Sequence, residues 1–175
     1  LPGYFSSSVS PFAGLLARAL YERTGQHYDR SWFASGGAEA VEAAVKMARA
    51  ATGRARILHM RRAYHGCTMG SLAMMEPGPM YDPFSPHLPA VTALERDDIA
   101  QLEQELERGD VAALVIEPLQ VEGGVWMPSA QYLEALCALT KQHDVALIAD
   151  EIQSGLGRCG QLLKSSSWPR RPDVV

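Results

Sequence analysis

VALIADEIQSGLGRCG, residues 145–160, is the stretch on which the reading of this chain turns. Five apolar residues, Val145, Ala146, Leu147, Ile148 and Ala149, run directly into an acidic pair, Asp150 and Glu151. The run has the length and composition of a strand buried on both faces, as in a parallel sheet. In open α/β sheets, ligands sit in the crevice outside the carboxyl ends of such strands. A carboxylate placed there is partly desolvated and needs a cationic partner to stay ionised. Asp150 is therefore the first candidate for chemistry.

The flanking sequence supplies further elements in alternation. Ser10-Pro11 offers an N-cap and a first-turn proline for a helix through about Glu22. Ser31–Ala34 reads as a short strand, and Ala38–Ala51 is strongly helical, stopping near Gly53. Arg56–Met60 predicts a strand, Gly66–Met75 a helix, and the Pro/Gly-rich stretch Glu76–Pro89 a surface loop. Asp97 and Asp98 open an amphipathic helix through Glu107, which Gly109 closes. Val111–Ile116 reads as a buried strand and Ser129–His143 as a helix leading into the strand at Val145. This alternation predicts an α/β fold of three layers, a mostly parallel sheet with helices on both faces.

Composition sets outer limits. At 175 residues and 47% hydrophobic content, the chain has single-domain length and material for a substantial core. A net charge of −4 gives no basic footprint, which argues against nucleic acid as a partner. Cys67, Cys137 and Cys159 are odd in number and lack metal-ligand spacing, so free thiols in a reducing compartment are expected, and no metal site. No apolar run reaches membrane-spanning length and LPGYFSSS is not a signal peptide, so a soluble, cytoplasmic protein is expected. The chain starts without Met and stops inside an apolar run at Pro172–Val175, which reads as a cut through a larger domain.

Three further loops carry chemistry. Ser35-Gly36-Gly37-Ala38-Glu39 lies between a strand and a good helix, where free N–H groups and the positive dipole end make an anion site, although a plain turn would look the same. Tyr64-His65-Gly66 puts an aromatic beyond a strand end, able to stack on a flat ring or simply to pack on the core. Glu117-Pro118, with Gln120 and Glu122, puts a second acid in the same architectural place as Asp150; alone, it would be a solvated strand-end glutamate. A protonated pyridine nitrogen is one cation that such an aspartate could hold, and that pairing makes pyridoxal phosphate an electron sink. Gly155–Gly160 also fits G-x-G-x-x-G, but it does not follow a strand directly and no helical pattern comes after it, so it reads as a glycine-rich turn.

Together these loops resemble the class III pyridoxal-phosphate aminotransferases of fold type I. FASGGAEAVEAAVKMAR (Phe33–Arg49) is similar to the family's phosphate loop and helix, YHG (Tyr64–Gly66) to its ring-stacking motif, EPLQVEGG (Glu117–Gly124) to its EPxxxEGG stretch, and DEIQSGLGRCG (Asp150–Gly160) to the motif carrying the pyridine-nitrogen aspartate. Val121 and Gly36 stand where many members have glycine and serine. The resemblance implies that Gly36, Gly37 and Ala38 hold the phosphate, Tyr64 stacks on the ring with His65 and Gly66 beside it, and Asp150 is the catalytic partner of the ring nitrogen. It further implies that Gln153 approaches the ring hydroxyl, Glu117 supports the aspartate end, and Glu122 meets a substrate-gating arginine further along.

By the same resemblance the Schiff-base lysine falls beyond Val175, and Lys46, Lys141 and Lys164 read as surface lysines. Residues 1–175 then form a partial cofactor-binding large domain, without the N-terminal segment, the lysine region and the C-terminal small domain. The expected activity of the complete protein is transfer of an amino group from an amine or amino-acid donor to an oxo-acid acceptor, in a homodimer. The fragment alone is expected to be inactive and poorly soluble. An aminomutase or decarboxylase built on the same cofactor shell, an inert truncated product, and a nicotinamide-dependent oxidoreductase resting on the glycine turn stay open as alternatives.

Overall fold

The computed structural model describes residues 11–175. The Ser10 cap expected for the first helix lies outside the described residues, and α1 covers Pro11–Arg23. Four parallel strands form the sheet: β1 (Arg56–Met60), β2 (Val91–Leu94), β3 (Val111–Ile116) and β4 (Ala146–Ala149), in the order β2-β1-β3-β4. The register pairs Met60 with Leu94, Leu58 with Leu114 and Ile116 with Ala149, so all four carboxyl ends lie along one edge.

Alternation within the strands separates two cores. Val41, Ala44, Val45 and Ala48 form the apolar stripe of α2 (Gly37–Thr52) and pack with Ile57, Ala113, Val115 and Ile148 on one face of the sheet. Leu58, Met60, Leu114, Ile116 and Leu147 point to the other face. There they meet Leu102 and Leu106 of α4 (Ile99–Glu107) and Tyr132 and Leu136 of α5 (Ala130–Gln142). Both leucines of α4 are fully buried, a burial worth about 2 kcal/mol each. Caps fix the ends: Asp98 and Ser129 accept from the backbone N–H groups of Gln101 and Tyr132, and Gly53 closes α2 in the left-handed region at φ 68°. No helix among the described residues is long and apolar enough to cross a membrane.

Several elements differ from expectation. Ser31–Ala34 is not a strand; Ser31–Gly36 is exposed throughout, with Trp32 at 68% and Phe33 at 46%, and it takes part in none of the strand pairings of the sheet. The helix expected over 66–75 shrinks to α3 (Met69–Leu72), because Gly66 sits at φ +112° and a capping box starts the turn only at Thr68. β2 was not foreseen; VTAL is a short, half-buried edge strand after Pro89-Ala90. Asp97 lies outside α4, since Asp98 is its N-cap, and Val145 precedes rather than opens β4. A single 3-10 turn, Lys164–Ser167, follows the glycine turn, so the structural context of a dinucleotide fingerprint is missing there.

Candidate cofactor site

The four loops singled out in the sequence converge at the carboxyl edge of the sheet. β4 delivers Asp150 there, its backbone N–H donating 2.9 Å to the Ile116 carbonyl at the end of β3. Its side chain is buried, with Oδ2 2.7 Å from His65 Nδ1 and Oδ1 accepting from the Ile152 N–H at 3.1 Å. His65 is buried as well, and its Nε2 has no hydrogen-bond partner among the described residues. The neighbouring strand end supplies Glu117, whose Oε1 accepts from the Tyr64 N–H at 3.0 Å. Burial pushes the Glu117 carboxyl up to about 7; His65 and the Tyr64 N–H oppose that rise and Asp150 adds to it. Burial, and then the nearby His65, pushes His59 down to about 4.

Glycines set the spacing between these loops. A Cβ on Gly66 would come within 2.9 Å of the Ala38 Cα, and one on Gly37 within 2.9 Å of the Ile152 Cδ1. The segment after β1, the start of α2 and the loop after β4 are thus in contact around one point. The start of α2 is open: Gly36 is the N-cap, no side chain caps the helix, and nothing lies within 4 Å of a Cβ placed on Gly36. A 16-residue helix leaves its first N–H groups and positive dipole end facing that space. Tyr64 is 37% exposed at the rim, its hydroxyl 3.4 Å from Cys67 Sγ. Gln153 and Glu122, both exposed, meet through a 3.4 Å bond from Gln153 Nε2 to Glu122 Oε1.

Structure adds residues that the sequence reading did not reach. Glu42 of α2 accepts at one oxygen from Thr68 Oγ1 (2.6 Å), Gly70 N (2.8 Å) and Ser71 N (3.1 Å), tying α2 to the segment that carries Tyr64 and His65. Glu151, noted in the sequence only as half of an acidic pair, is buried and accepts from Ser154 Oγ and from both the N–H and hydroxyl of Ser165. It braces the glycine turn directly behind Asp150. Apart from Ser154, three residues from Glu151, these partners carry no local signal, because the other contacts join segments 14 to 29 positions apart. Lys46 and Lys141 are exposed on their helices and Lys164 is half-buried in the 3-10 turn.

Comparison with known proteins gives this geometry a context. The family model for class-III aminotransferases matches residues 6–175. The chain is 39% identical over 168 residues to the aminotransferase PigE of Serratia, covering 96% of this chain and 20% of that protein. It is 33% identical over 182 residues to the putrescine aminotransferase of Pectobacterium atrosepticum, covering 99% of this chain and 39% of that one. Among solved structures, ornithine aminotransferase from Toxoplasma gondii superposes with a TM-score of 0.89 at 32% identity, over 98% of this chain and 42% of that chain. An amine transaminase from an uncultivated Pseudomonas species, solved with pyridoxal phosphate bound, gives 0.89 at 32%, over 98% and 45%. The chain thus spans less than half the length of each of these relatives, and over that span it shares the fold of the two solved structures, with the four loops brought to one edge of the sheet. On sequence and fold together, the chain belongs to the class-III aminotransferase family.

Proposed function

We propose that this chain is the cofactor-holding portion of an aminotransferase that moves an amino group from an amine or amino-acid donor to an oxo-acid acceptor, with pyridoxal phosphate as cofactor. The observation that carries the reading is the pairing of buried Asp150 with His65 at 2.7 Å, next to the uncapped start of α2. The residues present fit the cofactor. Gly36 leaves open space where a side chain would stand, and the buried His65 Nε2 has no partner among the described residues.

In this reading Gly36, Gly37 and Ala38 bind the phosphate through backbone N–H groups, and the α2 dipole favours its charge. Tyr64 stacks on the ring, and the close Gly66–Ala38 contact fixes the depth at which it can do so. Asp150 holds a proton on the pyridine nitrogen, and His65 orients the Asp150 carboxylate. Glu117 shapes the same end of the pocket through its bond to the Tyr64 N–H, and Gln153 faces the ring hydroxyl with Glu122 on the substrate side. When bound, the cofactor supplies the electron sink that makes the donor's Cα–H acidic. Homodimerisation is part of the proposal, supported by apolar side chains left uncovered on α1 (Phe12 63%, Leu15 63%) and at Trp32. A cytoplasmic location is supported by three free thiols, one of them exposed.

The test is a cofactor titration of the chain and of its D150A and Y64A variants, followed by cofactor absorbance and protein fluorescence. Saturable one-to-one binding, weakened in both variants, is expected. Absence of saturable binding in the parent chain would overturn the proposal.

A further inference from the structure

Arg96 follows β2 and closes a junction between the end of that strand and the segment that follows Glu117. Its Nε and Nη2 both reach Gln120 Oε1, at 3.0 and 2.5 Å, and Nη2 also donates to the Gly123 carbonyl at 2.7 Å. The guanidinium carbon stands 4.9 Å from the centre of the Trp126 ring. No carboxylate among the described residues lies within the 4.0 Å ion-pairing distance of Arg96. This half-buried guanidinium contacts an amide, a carbonyl and an indole face and has no contact ion pair, with Glu117, Glu76 and Asp97 acting on it only at longer range. What it supplies is geometry, since its planar fork fixes two acceptors at once.

Those acceptors belong to one hairpin. Gln120 and Trp126 exchange backbone bonds at 2.8 and 3.0 Å, and Gln120 is fully buried. A Cβ on Gly123 would lie 2.6 Å from the Arg62 carbonyl, so the hairpin rests directly on the backbone after β1. Its tip carries Glu122 across to Gln153, in the loop after β4. The contact at the tip is one 3.4 Å bond between two exposed side chains, too weak to hold the hairpin by itself.

We propose that Arg96 is a positioning residue: it latches the Gln120–Trp126 hairpin to the ends of β1 and β2 and so holds Glu122 beside Gln153 on the substrate side of the pocket. The substrate-side consequence rests on the proposed aminotransferase function; the latch does not.

The experiment compares the full chain with R96Q and R96K by amide hydrogen exchange and by titration with pyridoxal phosphate, and compares the donor KM in the full-length enzyme. In R96Q, exchange at Gln120 and Trp126 should accelerate by about tenfold or more, while Leu114 and Leu147 in the central strands keep their rates. R96K, a single-point donor, should accelerate the same two amides less. The cofactor dissociation constant should stay within about twofold while the donor KM rises by about tenfold, because only the substrate side is released. Unchanged exchange at Gln120 and Trp126, equal acceleration in the central strands, or a cofactor constant rising as far as KM would each overturn the proposal. Failure of the parent chain to bind cofactor would remove the aminotransferase reading, and the exchange data would still decide the latch.

Discussion

Replacing Glu117 by Gln should flatten the pH dependence of stability in the cofactor-free chain. Glu117 is 4% exposed, and burial raises its carboxyl from 4.5 to about 7. Because the folded-state value is the higher one, the native chain keeps a proton that the unfolded chain has already lost. That contribution is fully present below pH 4.5 and disappears as the pH rises through about 7. At about 1.36 kcal/mol per pH unit, the whole effect is about 3 kcal/mol, and about 2.5 kcal/mol of it falls between about pH 5 and pH 8. Gln keeps an oxygen acceptor for the Tyr64 N–H but cannot titrate. Urea unfolding of both proteins across this range should show the parent chain losing about 2.5 kcal/mol relative to E117Q. Parallel profiles would refute the reasoning, and so would a parent chain that gains on the variant as the pH rises.

Three further substitutions probe the junction. G66A puts a Cβ against Ala38 at a residue with φ +112°, and should cost about 2 kcal/mol in urea unfolding while weakening cofactor binding. E151A leaves the Ser154 hydroxyl and the buried N–H and hydroxyl of Ser165 without their acceptor; a loss of about 2–4 kcal/mol is expected, read from the shift in the denaturation midpoint. Y64A removes a side chain already 37% exposed, so stability should change by less than about 1 kcal/mol while the cofactor dissociation constant rises by about tenfold.

What the sequence made legible follows from how local each signal is. Val111–Ile116 and Ala146–Ala149 declare themselves because a strand buried on both faces needs an unbroken apolar run. The α2 stripe of Val41, Ala44, Val45 and Ala48 is equally plain, since the residues recur in the i, i+3, i+4, i+7 pattern of one helix face. β2 was illegible because an edge strand needs little apolar content, and its four residues acquire meaning only by pairing with β1. Ser31–Ala34 misleads for the opposite reason: Trp32 and Phe33 have strand-like character, but they stay exposed and pair with no strand. The residues of the site were recognisable as motifs, whereas their partners were not. His65 meets Asp150 across 85 positions and Arg96 meets Gln120 across 24, and the fold alone makes those pairs. Glu117 illustrates both sides, since its place at a strand end was readable and its bond to the Tyr64 backbone was not.

The central claim is that Asp150 holds a protonated pyridine nitrogen in the pocket formed with His65. The most direct measurement is the nitrogen-15 chemical shift of ring-labelled pyridoxal phosphate bound to the chain and to D150N, followed from about pH 6 to pH 9 across the range where the free ring loses its proton. The account predicts a protonated nitrogen throughout that range in the parent chain, and a nitrogen that loses its proton within it in D150N. A neutral ring nitrogen in the parent chain, or identical shifts in the two proteins, would contradict it.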